Sequence, residues 1–195
     1  MKTNRLEAFS DGVLAIIITI MVLEMKVPSG TTLDALKPVL PVFLSYVLSF
    51  VYVGIYWNNH HHLLNATHHV SAGILWANLN LLFWLSLFPF ATGWMGQNHL
   101  APTPTAVYGV VLLMAGFAYW LLQKAIIAQE GHECLLAAAL GGDWKGNLSP
   151  LLYLTAIPLA FVSPLIANGI YVLVALIWFV PDRRIERALA KHEKA

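Results

Sequence analysis

Long apolar runs, separated by short polar stretches marked with proline and glycine, set the rhythm of the chain. Crossing about 30 Å of hydrocarbon takes roughly 20 apolar residues in a helix. The pattern predicts such spans over residues 6–25, 38–57, 70–95 and 106–123, followed by a crowded apolar region over 149–181. "MKVPSGTTLDALKP" reads as the loop after the first span, and "GQNHLAPTPT" as the loop after the third. Residues 125–147, which mix apolar and polar positions, are expected to form either an interfacial helix or an extension of the fourth span.

The region 149–181 would measure about 50 Å as one helix, too long for one crossing and tight for two. Pro158, Pro164 and the Asn168–Gly169 pair are its candidate breaks, and Asn-Gly is the strongest turn signal among them. Charge chooses between five and six crossings. With six, and the N-terminus inside, Lys2, Arg5, Lys124, Lys145, Arg183, Arg184, Arg187, Lys191 and Lys194 lie on the inner side. Only Lys26 and Lys37 then lie outside. Five crossings would export the five cations of the tail, against the positive-inside tendency. The expectation is one all-α integral membrane domain over residues 1–195, with six transmembrane helices and both termini in the cytosol. Residues 182–195 form its basic cytosolic tail, and the chain is placed in the cell membrane.

Composition agrees. The chain is 58% hydrophobic and 11% charged, far below the charge that covers a soluble domain. A net charge of +1 gives no footprint for nucleic acid. The single cysteine, Cys134, excludes an internal disulfide framework. The first apolar run starts with an Asp and ends in "LEMKVP", without the small-residue site of a cleavable leader.

Polar side chains inside apolar spans need partners and mark function. The first span carries Ser10, Asp11, Thr19 and Glu24, the second ends in Trp57, Asn58, Asn59 and His60 to His62, and the third holds Trp76, Asn78, Asn80, Ser86 and Thr92. Ile16, Thr19, Ile20 and Leu23 are spaced i, i+3, i+4, i+7 and share a helical face. The first span is apolar all round, so periodicity does not say which face meets lipid, protein or water. Ser10 and Asp11 suit a helix N-cap. They also suit hydrogen bonding, in which His60 or His61 meets Ser10, Asp11 or Asn78. Five of the eight histidines fall in "NNHHHLLNATHH", residues 58–69. A metal site on His60, His61, His62, His68 and His69 would need further clusters converging on it. The remaining histidines are scattered at 99, 132 and 192, so no bound metal is expected.

Arg5-x-x-x-Phe9-Ser10-Asp11 resembles the signature of the transmembrane protein 175 family of potassium channels. Trp57-x-x-His60-His61, Trp76-x-Asn78, "FPFAT" with Pro89 and Thr92, and "WFVPDRR" follow in the same order, so the likeness runs from residue 5 to about 184. The resemblance implies a six-helix subunit that assembles as a homotetramer around a pore lined by the first helix. The absence of a "TVGYG"-type filter fits this. It further implies an apolar constriction at Ile16, further rings at Ile20 and Leu23, and a hydroxyl layer at Thr19 linked to selectivity. The Phe9-Ser10-Asp11 set would pack against the His and Asn of spans two and three and hold the subunit together. The permeant ion would be potassium, with no cofactor and no enzymatic activity. Glu24 is read either as a field that concentrates cations or as a lipid-interface residue. The alternatives are a proton- or cation-coupled transporter, which should show repeats around a midplane site, and a membrane metalloenzyme built on the His60–His69 cluster.

Overall fold

The computed structural model describes residues 3–67, 69–131 and 144–179, and these are all-helical. Helix α1 spans Thr3–Leu23; a 3-10 helix over Leu33–Val39 leads directly into α2, Leu40–Asn65. Helices α3 (Ala72–Ser86) and α4 (Phe88–Gln97) form one crossing interrupted at Leu87. Pro89 sits at the start of α4, where its missing N–H costs least. Helix α5 spans Pro102–Glu130, α6 Trp144–Leu159 and α7 Pro164–Phe179.

Residues 3–23, 33–65, 72–97 and 102–130 are long and apolar enough to cross a membrane. With 16 residues each, α6 and α7 are about 24 Å long and pack against each other as a hairpin. The fold is that of a six-helix integral membrane protein.

Side-chain bonds fix the direction of successive helices. His61 near the end of α2 meets Glu7 near the start of α1. Tyr119 on α5 donates to the carbonyl of Asn59 on α2, and Trp178 at the end of α7 donates to Ser149 at the start of α6. Adjacent crossings therefore run in opposite directions, and one end of the bundle gathers the starts of α1, α3 and α6 with the ends of α2, α5 and α7.

Helix α5 is the hub, packed on α3, α4, α6 and α7. Its small residues Ala106, Ala115 and Ala118 are buried and let neighbours approach closely. Large hydroxylated side chains fill the core without stranding their polar ends. Tyr52 donates to the Tyr171 carbonyl at 2.6 Å, Tyr153 donates to Tyr52 at 3.2 Å, and Tyr171 donates to the Thr105 carbonyl at 3.2 Å. Ser49 lies 2.6 Å from the Thr92 hydroxyl and 2.9 Å from that of Tyr108.

Three expectations change. The turn in the last apolar region falls at residues 160–163, between the Pro158 and Pro164 breaks, and Asn168–Gly169 lies inside α7. Asn168 donates its side-chain amide to the Pro164 carbonyl one turn back, at 2.9 Å, so it serves the helix rather than ending it. Helix α2 runs eight residues beyond position 57 and carries His60 to His62 on its last turns. Ser10 and Asp11 are not caps, because α1 has begun by Thr3. Of residues 125–147, positions 125–130 extend α5. Positions 132–143, with His132 and Cys134, fall outside the described residues, as do His68 and the tail over 182–195.

Candidate functional site: an exposed stripe on the first helix and the network behind it

Helix α1 packs on α2, α3 and α4 along one side only. Leu6, Ser10, Leu14, Ile17 and Met21 repeat at steps of four, four, three and four and are all buried. The opposite side carries Arg5, Phe9, Gly12, Ile16, Thr19 and Leu23, all exposed in the single chain and spaced alternately four and three apart. Ile17 is 3% exposed, whereas Ile16 is 57% and Leu23 80% exposed. Ile20, on the flank of the stripe, is 41% exposed. Burial thus separates faces that composition could not, and it places Ile16, Thr19, Ile20 and Leu23 together on the uncovered side.

The Thr19 hydroxyl lies 2.9 Å from the Ile16 carbonyl and 3.1 Å from that of Ala15, and donates into the turn beneath it. Its proton is committed to the helix. The oxygen then offers lone pairs, and no hydrogen, to whatever approaches from the open side.

Behind the stripe the hydrogen bonds have a defined direction. Ser10 donates to the Leu6 carbonyl at 2.9 Å, so its oxygen accepts from the Asn78 amide nitrogen at 3.0 Å. The Asn78 carbonyl oxygen therefore faces His60 and accepts from Nε2 at 2.7 Å. His60 carries its proton on Nε2, and its buried Nδ1 has no hydrogen-bond partner among the described residues. Ser10 and Asn78 are fully buried and His60 nearly so. This chain joins α2 through α3 to α1.

Two further contacts sit at the rim of the network. Trp57 Nε1 donates to Asp11 Oδ1 at 3.0 Å. His61 Nδ1 donates to Glu7 Oε1 at 2.9 Å, and its Nε2 accepts from Asn65 at 3.0 Å. The Trp57 and His61 rings stack with centroids 6.4 Å apart. Farther along α1, the Thr92 hydroxyl approaches Met21 Sδ at 3.9 Å.

The structure brings Ser10, Asp11, Trp57, His60, His61 and Asn78 together. It does not bring Phe9 or Arg5 into that group. Phe9 is 53% exposed and Arg5 is exposed, both on the stripe. Glu7 and Asn65 were not singled out in the sequence. The available signal was spacing, since Glu7 lies three and four residues before Ser10 and Asp11 and shares their side of the helix. The histidine run does not converge: His60 turns inward to Asn78 while His61 turns to Glu7. Among the described residues no three His, Cys, Asp or Glu side chains gather in a metal-binding group.

The chain is a six-helix membrane protein whose first helix is tied along one side and open along the other, and proteins of known class share this fold. The family described as "Endosomal/lysosomal potassium channel TMEM175" matches over residues 5–89. A potassium channel of Chryseobacterium sp. (strain P1-3) is 54% identical over 98% of this chain and its own full length. A potassium channel of Streptomyces collinus is 30% identical, over 90% of each chain. The crystal structure of a lysosomal potassium-selective channel TMEM175 homolog from Chamaesiphon minutus superposes with a TM-score of 0.77 at 28% identity, covering 92% of this chain and 97% of the other. The chain belongs to the TMEM175 family.

Proposed function

We propose that this chain is the subunit of a potassium-selective channel of the cell membrane, assembled as a homotetramer around copies of α1, with both termini in the cytosol. The observation that carries the proposal is the division of α1 into a buried, hydrogen-bonded side and an open stripe at alternating spacings of four and three. That spacing is the seam along which parallel helices meet. Helix α2 presents a second stripe of the same spacing beside it, through Phe43, Val47, Phe50, Gly54 and Trp57, with all but the half-buried Gly54 exposed, suited to a neighbouring copy.

Around a common axis, Ile16, Ile20 and Leu23 form apolar rings. Such rings stop flow by dewetting or admit an ion that has shed part of its water. An apolar ring supplies no ligands, so discrimination comes from unequal dehydration costs, and potassium loses water more cheaply than sodium. The Thr19 layer, with its protons turned into the helix, offers acceptor oxygens that replace part of the lost shell. The network of Ser10, Asn78 and His60 holds the back of α1 and keeps the aliphatic stripe aimed at the axis. The relatives' names as potassium channels support the choice of ion.

The test is purified protein in a planar bilayer between potassium and sodium solutions, with its mass in detergent measured alongside. Discrete current steps that reverse toward the potassium equilibrium potential, from a particle of four chains, are expected. A slow, strictly coupled flux without steps would assign the protein to the transporters instead, and a monomer would have no pore to line.

A further inference from the structure

A cleft of about 1010 Å³ opens between α2, α5, α6 and α7, away from α1 and its network. It is as large as the biggest pockets that hold small ligands, which run to about 1,000 Å³. Its polarity is graded along its length. The deep end is walled by Tyr52 and Tyr153, whose hydroxyls are already spent on each other and on the Tyr171 carbonyl. The Tyr56 hydroxyl also lines the wall, beside Gly116. Leu113, Met114 and Phe117 add aliphatic and aromatic wall. Polar groups collect at one end, where Asn59, Gln123, Lys124 and Asn147 line the opening.

That opening lies at the end of the bundle that holds the start of α1 and the ends of α2 and α5. Tryptophans mark it as a membrane interface: Trp120, Trp144 and Trp178 all line it, the first two exposed. Cations stand against two of these rings, Lys124 Nζ 5.8 Å from the Trp120 centroid and Lys145 Nζ 5.9 Å from that of Trp178. Apolar depth, a mouth at headgroup level and positive charge at that mouth together specify an amphipath with a greasy tail and an anionic head.

We infer that this cleft is a binding site for an anionic phospholipid of the inner leaflet, with an acyl chain between α2, α5 and α6 and the phosphate at Lys124. The site lies within one chain and does not depend on the pore, although assigning it to the inner leaflet rests on the topology proposed above. A lysine at an anionic surface contributes attraction worth roughly a fivefold change in binding. Gly116 lines the wall, and a Cβ added there meets only the Tyr56 hydroxyl, at 3.7 Å. Gly116→Leu therefore fills the cleft from α5 while its first carbon fits without displacement.

The experiment is native mass spectrometry of the detergent-purified protein exchanged into an equimolar mixture of phosphatidylglycerol and phosphatidylcholine, with lipid adducts counted per chain. The wild type should retain phosphatidylglycerol several-fold over phosphatidylcholine. Lys124→Gln, at an exposed position, should lower that preference about fivefold, and Gly116→Leu should reduce retention of both lipids. Equal retention of the two headgroups by the wild type would overturn the inference, as would wild-type behaviour in either variant. Adducts are read on each chain, so failure of the tetramer would appear in the protein mass and leave this result separate.

Discussion

Removing Asn78 tests how α1 is held. Asn78 is fully buried, accepts from His60 and donates to Ser10. In Asn78→Ala both bonds vanish together, and the His60 Nε2–H is left facing a gap, on a ring whose Nδ1 already lacks a hydrogen-bond partner among the described residues. A stranded buried donor costs about 1–3 kcal/mol, while interhelical bonds between membrane helices contribute nearer ~0.6 kcal/mol on average and ~1.7 at most. For two bonds the expected loss is about 1–3 kcal/mol. Ser10→Ala removes both the bond to the Leu6 carbonyl and the one from Asn78, leaving Asn78 without that acceptor, and a double-mutant cycle cancels the Leu6 part to isolate the pair. The coupling energy should be about 0.6–1.7 kcal/mol. Reversible unfolding in mixed micelles, followed by helical circular dichroism, measures all four corners. Single-channel recording on Asn78→Ala should also show unstable conductance, because α1 is then held only by its rim contacts to Trp57 and His61 and by apolar packing. Fully additive losses, with wild-type currents, would refute the idea that this network aims the helix.

Four further outcomes follow from the geometry. Ile16→Asn should wet the constriction and raise conductance or loosen selectivity in bilayer recordings; unchanged currents would mean that another face of α1 lines the path. Thr19→Val keeps the shape but removes the oxygen, and should lower the potassium-to-sodium permeability ratio read from reversal potentials. Asp11→Ala deletes the acceptor of Trp57 and should reduce the yield of tetramer on size exclusion while leaving the permeability ratio of assembled protein intact. Gly96→Ala would place a methyl 2.7 Å from the Val42 Cα, forcing α2 and α4 apart at a cost of about 1–3 kcal/mol, visible as a lower thermal midpoint.

Much of the fold was legible because lipid leaves the backbone few choices. Apolar length located α1 to α5, and the position of the lysines and arginines argued for six crossings. The misreadings have local causes. Asn168–Gly169 carries a turn signal drawn from water-exposed chains, whereas here the Asn side chain bonds back to Pro164 and the helix continues. Pro164 opens α7 instead, at a position where no N–H is needed. Ser10 and Asp11 look like caps only if the helix begins at the apolar run, but it starts earlier, through Asn4 and Arg5. The polar members of the site could be named from sequence because each is costly in a membrane. The uncovered face of α1 was named only through the family resemblance, because isoleucines occupy both sides and periodicity does not distinguish Ile17 from Ile16, as packing does. Sequence could not reveal that Ser10 gives its proton to Leu6, the bond that orders every donor behind it.

In the channel proposed above, the direction of the Thr19 hydroxyl would bear on the sign of an ion as well as on its size. A hydroxyl that could swivel would greet chloride as readily as potassium, turning its hydrogen outward for one and its oxygen for the other. Anchored to the carbonyls of Ala15 and Ile16, it has lost that freedom. In the proposed tetramer, a circle of such groups would repel negative charge without bearing any net charge of its own, and a permeation path built this way would need no acidic residue to decide the sign of what passes.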